Sequence, residues 1–153
     1  MQDNITLIIS GIPGSKQSAR FRISKNKQGK HFVTSYQKKE VKDQEKNTAS
    51  AVLEQLPKGF IPFDETIFAD VQYVFPMPAS FSKKQRELVE SGKKVWKNTK
   101  PDITDNLNKG LFDALEGILF INDSRIAGIK AVKYYGLVPQ TILKIWTEKE
   151  VPA

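Results

Sequence analysis

The chain reads as an α+β (mixed α/β) protein, with one mixed sheet packed by helices in a single domain spanning residues 1–153. Three observations predict this. A length of 153 residues is close to the commonest single-domain size, at which about 68–70% of the unfolded surface is buried on folding. Hydrophobic residues make up 39% and charged residues 27%, a composition lean in apolar groups yet globular. Segments of strand and helix periodicity follow in the order strands, helix, strand, helix, helix, strands, with no internal repeat or low-complexity tract.

Each element has a local reason. Ile5 to Ser10 is an apolar run stopped by Gly11-Ile12-Pro13-Gly14, and glycine and proline at that density end a strand rather than extend a helix. Arg20-Phe21-Arg22-Ile23 alternates polar and apolar side chains, Asn26-Lys27-Gln28-Gly29 has the composition of a hairpin tip, and His31-Phe32-Val33 returns as the second strand of a basic ribbon. From Ser35 to Pro57 the chain holds neither glycine nor proline. There Tyr36, Val41, Ala49, Val52, Leu53 and Leu56 outline a helix over residues 36–56, weakly amphipathic in its first half. Thr66 to Phe75, rich in β-branched and aromatic residues and closed by Pro76 and Pro78, reads as a central strand. Ser82 is placed to cap a short helix over residues 83–91, and Gly92 to Lys100 reads as a basic loop with one tryptophan. Thr104 or Asp105 is a fitting N-cap for a helix running to Glu116 and terminated by Gly117, with Leu107, Leu111, Ala114, Leu115 and Ile118 on its buried face. Ile126 to Tyr135 and Gln140 to Thr147 follow as two strands joined across Gly136-Leu137-Val138-Pro139.

Composition excludes several chemistries. With no cysteine, a disulfide framework, thiolate zinc, iron–sulfur clusters and cysteine nucleophiles are ruled out, and His31 alone cannot make a histidine-rich metal site. No run approaches the 18 or so consecutive apolar residues of a membrane span, and Met1-Gln2-Asp3-Asn4 opens without a basic leader, so a soluble cytoplasmic protein with no membrane association is expected. The net charge is +7, and it is unevenly placed. Residues 1–63 carry eleven basic and five acidic groups, residues 64–100 carry seven and five, and residues 101–153 carry six and seven. A basic chain of this kind favours a polyanionic partner, although basic surfaces are common and charge alone is weak ground.

The chemistry concentrates in Lys100-Pro101-Asp102-Ile103-Thr104-Asp105-Asn106-Leu107-Asn108-Lys109-Gly110-Leu111-Phe112-Asp113, and in Asn122-Asp123-Ser124 beyond it. In a helix starting near Asp105, residues four apart share a face, which aligns Asp105, Lys109 and Asp113 opposite the leucines. Asp102 and Asp123 join them if the chain folds back over the helix N-terminus. Carboxylates without histidine or cysteine suit Mg²⁺, or Mn²⁺ in its place, which takes one or two carboxylates together with water and phosphate oxygens. Such an ion polarises a phosphoryl group and stabilises a leaving oxygen, while a lysine neutralises charge building on the phosphate. Structural duties account for the same residues: Asp102 and Asp105 as turn and cap residues, and Lys109 with Asp113 as an exposed pair worth about 0.2–0.5 kcal/mol. Spacing alone tips toward that structural account. Asp113, two turns from the cap, reads as structural.

The run Lys-Pro-Asp, Asp-Asn-Leu-x-Lys, Asp-Ala-Leu-x-Gly and Asn-Asp-Ser-Arg-Ile over residues 100–126 resembles the signature of RusA-type Holliday junction resolvases, and Gly11, Pro13, Lys16 and Arg20 resemble the family's opening motif more loosely. An ordered series of matches outweighs any one of them and reverses the leaning toward structural duties. The resemblance implies a RusA-like, homodimeric endonuclease that binds branched DNA, specifically four-way junctions, and nicks two strands symmetrically with Mg²⁺ and no small-molecule cofactor. By position it puts the essential acids, as metal ligands, on Asp102, Asp105 and Asp123, and the catalytic lysine on Lys109. Two departures stand out. The family spaces its first two acids as Asp-x-Asp, whereas Ile103 and Thr104 both intervene here, and Asn122 and Arg125 replace the usual acid and glutamine.

On the same resemblance, Lys16, Arg20, Arg22, Lys25, Lys27 and Lys30 form a DNA-binding ribbon, and Lys93, Lys94, Lys97 and Lys100 clamp backbone beside the acids; phosphate contact is expected rather than base reading. Trp96 either stacks on an unpaired base or packs in the core, and the core is favoured. His31 is expected to be a strand residue without catalytic duty, and Phe75 and Phe81 to be packing rather than wedges at a junction centre. Against a junction resolvase active in recombination and repair stand two other readings. One is a junction- or duplex-DNA-binding protein impaired in catalysis, and the other a basic RNA-binding module.

Overall fold

The computed structural model describes residues 4–14, 20–25, 31–36 and 39–148. Among the described residues the strands and α-helices are β1 (Asn4–Ser10), β2 (Arg20–Lys25), β3 (His31–Tyr36), α1 (Lys39–Gln55), β4 (Ile67–Pro76), α2 (Lys83–Glu90), β5 (Val95–Trp96), α3 (Asn108–Leu115), β6 (Ile126–Gly136) and β7 (Gln140–Thr147). Five strands form one mixed sheet in the order β1-β7-β4-β6-β5, so the α+β class read from the sequence holds. β4 lies at the centre, antiparallel to β7 and parallel to β6.

Alternation in the strands decides which face meets the helices. Ile5, Leu7 and Ile9 of β1, Leu143 and Ile145 of β7, and Ile67, Ala69, Val71, Tyr73 and Phe75 of β4 are buried in one cluster. α1 and α3 supply its other half through Val52, Leu111, Phe112 and Leu115, joined by Leu107 just before α3 and by Leu119 and Phe120 beyond it. The outward edge of β1 is occupied by a side chain: the Gln55 amide accepts from Ile8 N at 2.9 Å and donates to Ile8 O at 2.6 Å, standing in for a neighbouring strand. Gly11, at φ 107°, turns the chain away from the sheet in a left-handed conformation that glycine adopts without steric cost.

Several expectations shift. The first helix starts at Lys39 rather than residue 36, because Tyr36 is paired with Arg20 at the end of β3. β2 and β3 make the expected antiparallel ribbon as a two-stranded sheet of their own, while the anticipated tip at Asn26 to Gly29 lies outside the described residues. The two strands joined in sequence across Gly136-Leu137-Val138-Pro139 are both present, and in the sheet β4 lies between them, parallel to β6 and antiparallel to β7. The loop at residues 92–100 contains the edge strand β5, pairing Val95 with Tyr135 and Trp96 with Tyr134. The helix cap at Ser82 is present, with Ser82 Oγ accepting from Gln85 N and the Gln85 side chain accepting from Ser82 N. No described helix is long and apolar enough to cross a membrane.

Candidate active site

The entry to α3 differs from a plain helix start. Neither Thr104 nor Asp105 caps it. Ile103–Leu107 form one π-helical turn, in which Asn108 N reaches back to Ile103 O, and Asp102 is the cap residue. Asp102 takes this role because its carboxylate reaches the donors of the turn: Oδ2 accepts from Asp105 N at 2.8 Å and Thr104 Oγ1 at 3.1 Å, and Oδ1 accepts from Asn106 Nδ2. The Asp105 N–H holds the Asp102 carboxyl below the ordinary carboxylate range, with Asn106 and Thr104 adding to the effect. Both residues between the two acids, Ile103 and Thr104, lie in this wide turn, and Leu107 and Leu111 are in the core at 0% and 7% exposure.

Beyond this turn, α3 and the start of β6 enclose a groove lined by Asn108, Lys109, Phe112, Asp113, Asp123 and residues Ile126 to Ile129. Asn108 is set by the buried Tyr73, whose hydroxyl donates to Asn108 Oδ1 at 2.7 Å. Asp123 opens a short 3₁₀ turn, Asp123–Arg125, capped by Asn122 Oδ1 accepting from Ser124 N at 2.9 Å. Two contacts position that turn: Asp123 N donates to Glu116 Oε1 at 3.2 Å, and the Arg125 guanidinium holds Asp64 through Nε and Nη2 at 3.1 and 2.9 Å.

Lys109 and Asp123 thus share one groove, with Asp113 beside them. Asp102 and Asp105 are exposed on the turn leading into it and are not among its lining residues. Asp123 lines the same groove as Asn108 and Lys109, the first residues of α3, and its backbone N–H also donates to Glu116, just past the C-terminal end of that helix. The pairing of Ile126 with Ile67 at the start of the parallel β4–β6 ladder fixes where the residues before β6 lie. Asp105 in the π turn and Asp113 in α3 lie about two helical turns apart, too far for one ion whose oxygen ligands sit at about 2.0–2.1 Å. Among the described residues no group of three or more acidic or histidine side chains is disposed to hold a metal. Asp102 already accepts three donors of the roughly four a carboxylate can take. The exposed carboxylates of Asp105 and Asp123 are hard oxygen donors, and that donor chemistry fits a divalent cation which takes one or two carboxylates and fills its shell with water and phosphate oxygens. Asp113 is a groove residue that sequence reasoning set aside; its spacing of four from Lys109 was the available signal.

The basic residues divide. Lys16, Lys27 and Lys30 lie outside the described residues, and Arg20, Arg22 and Lys25 lie on β2. Lys93, Lys94 and Lys100 are exposed; Lys94 Nζ sits 3.8 Å from the centre of the Tyr134 ring. Lys97 Nζ is held by Thr99 Oγ1 at 2.9 Å and lies 5.1 and 5.3 Å from the Phe75 and Tyr135 rings. Trp96 is not a core residue: it is 58% exposed, because β5 is an edge strand two residues long and Trp96 lies on the opposite side of it from Val95. Phe75 is buried and Phe81 packs edge-on against Tyr135 at 4.8 Å.

A family model described as endodeoxyribonuclease RusA matches residues 13–146. An uncharacterized protein of Bacillus subtilis (strain 168), YqaN, is 38% identical over 78 residues, which is 50% of this chain and 54% of that protein, so the chain spans about half the length of the curated relative it matches.

Proposed function

The chain belongs to the RusA endodeoxyribonuclease family, and from that premise we propose that it is a structure-selective nuclease that resolves four-way DNA junctions by symmetric, metal-dependent nicking in recombination and repair. The observation that supports the reading is the shared groove of Lys109 and Asp123, two residues of the family motif carried by successive elements of the chain. Lys109, on the exposed side of α3, offers its ammonium to a phosphate entering the groove and opposes the negative charge that builds there during cleavage. Asp123 and Asp105 offer carboxylate oxygens to Mg²⁺, with Mn²⁺ as a substitute, and Asp102 adds one remaining acceptor position while holding the π turn. The metal, when bound, supplies Lewis-acid polarisation of the scissile phosphoryl group. Lys93, Lys94 and Lys100 hold the DNA backbone beside the acids. Two equivalent sites on a symmetric junction call for a two-fold homodimer acting in the cytoplasm.

The test is direct. Purified protein with Mg²⁺ should nick a synthetic four-way junction, and Asp123→Asn or Asp105→Asn should abolish nicking while leaving junction binding intact. Cleavage by both variants at the unmodified rate would remove these residues from the site. A second reading, a junction- or duplex-binding protein impaired in catalysis, is favoured by the engagement of both Asp102 oxygens within the chain. Tight binding without nicking in either Mg²⁺ or Mn²⁺ would establish it.

A further inference from the structure

The stretch from Ser91 to Pro101 contains four lysines and no acid, and at its centre Trp96 leaves more than half of its surface in solvent. An aromatic side chain of this size amid positive charge leaves most of its apolar surface unused by the fold; the combination of an exposed aromatic group with flanking cations is what an unstacked nucleobase and its phosphates require. We propose that Trp96 is a base-stacking platform for a single-stranded or locally unpaired segment of DNA, adjoining the acidic turn. This goes beyond the nuclease reading but rests on its premise that the ligand is DNA.

The platform is held firmly. Trp96 pairs with Tyr134 in the sheet, and their rings meet at 89° with centroids 6.2 Å apart, so the indole is braced without being covered. Tyr134 is itself fixed, its hydroxyl donating to Gln72 Oε1 at 2.7 Å. On the far side, Lys97 N donates to Lys133 O at 3.1 Å, and Lys133 Nζ donates to Thr99 O at 2.5 Å and Pro101 O at 2.7 Å. The segment joining Trp96 to Asp102 is thereby tied to β6. Six residues span at most about 20 Å, a reach that only a few nucleotides of unpaired strand cover. A base stacked on Trp96 thus lies within one short strand segment of a phosphate at the acidic turn, which suits a ligand whose bases are unpaired near the cut and disfavours an intact duplex.

The experiment measures binding in EDTA, by fluorescence anisotropy, to three labelled probes: a single-stranded oligonucleotide, a four-way junction and a linear duplex. Trp96→Ala should weaken binding to the single strand and junction about 5- to 150-fold and duplex binding less than about twofold, and Trp96→Phe should restore most of the loss. Quenching of tryptophan emission by the oligonucleotide should disappear in Trp96→Phe and persist in Trp146→Phe. Equal loss on all three probes, unchanged binding by Trp96→Ala, or a change of Trp96→Ala from dimer to monomer in sedimentation that accounts for the weaker binding would overturn the proposal. Nicking is read separately. If the protein binds with the predicted selectivity yet cuts nothing, the nuclease reading fails and this one stands, whereas absence of DNA binding defeats both.

Discussion

Tyr73→Phe should change sign with pH in its effect on stability. Tyr73 is 2% exposed on the central strand, and burial pushes its phenol well above the ordinary value near 10. Its hydroxyl donates to Asn108 Oδ1 at 2.7 Å, and removing a hydrogen bond of this kind costs about 1 kcal/mol, equivalent to a fall of about 2–4 °C in Tm for a chain of this length. At pH 8 the Phe variant is therefore the less stable protein by about 1 kcal/mol. The folded phenol has the raised pKa, so its contribution is complete below the unfolded value near 10 and is lost as pH climbs above it, when the unfolded chain releases a proton that the folded one keeps. By pH 11.5 that loss reaches about 2 kcal/mol, since each unit is worth about 1.4 kcal/mol, and phenylalanine does not incur it. The offset then reverses, leaving the Phe variant ahead by about 1 kcal/mol. Urea denaturation of both proteins at the two pH values measures it, and the remaining titrating groups, common to both, cancel. An offset that stays constant across the range would mean that Tyr73 ionises freely in the folded protein, and no offset at pH 8 would mean that the bond to Asn108 contributes nothing.

Asp102→Asn should preserve hydrogen-exchange protection of the Asp105 amide, because asparagine caps as well as aspartate, whereas Asp102→Ala should lose it; if the charge is also used in cleavage, nicking falls in both. Since the Asp102 pKa is depressed, the contribution of its charge is complete above the ordinary carboxylate range and is lost as pH falls through the lowered value, so acid should weaken that protection in the unmodified protein and leave Asp102→Asn unchanged. A Cβ added at Gly136 would stand 2.5 Å from Val74 Cγ1, a buried β-branched side chain, so Gly136→Ala should destabilise by about 1–3 kcal/mol in urea. Arg125→Ala breaks an ion pair with 39% and 69% exposed partners and should cost under about 1 kcal/mol, yet it loosens the turn carrying Asp123, so nicking should fall by more than stability does.

Much of the fold was legible because local signals and tertiary demands coincided. β7 matches its reading from Gln140 to Thr147, and the Ser82 cap with Gln85 three residues on is a purely local device. Failures occur where distant partners decide. Nothing near Gly136 to Pro139 announces that β4 will separate the strands on either side, since that follows from which edges of β4 remain to be satisfied. Val95 and Trp96 are too few to show a strand period and become β5 only through Tyr134 and Tyr135.

The candidate site shows the same division at finer scale. The spacing of Lys109 and Asp113 by four places both in the groove, as helix geometry requires, but carrying that spacing back to Asp105 assumes one α-helix throughout. The π turn breaks the assumption. Leu107 and Leu111 are committed to the core, the residues from Ile103 to Leu107 form the wide turn, and Asp102 is its cap through three hydrogen bonds. Asp105 then stands exposed on the turn, apart from the lining of the groove that holds Asp123. A divalent ion that fills most of its shell with water and phosphate oxygens does not require the three acids to meet beforehand. The substrate phosphate then becomes part of what completes the site, and the affinity for Mg²⁺ should be markedly higher with a junction bound than without it. Isothermal titration with Mg²⁺, using a junction with a non-hydrolysable linkage at the cut position, would show this, and equal affinity in both states would point instead to a preformed metal cage.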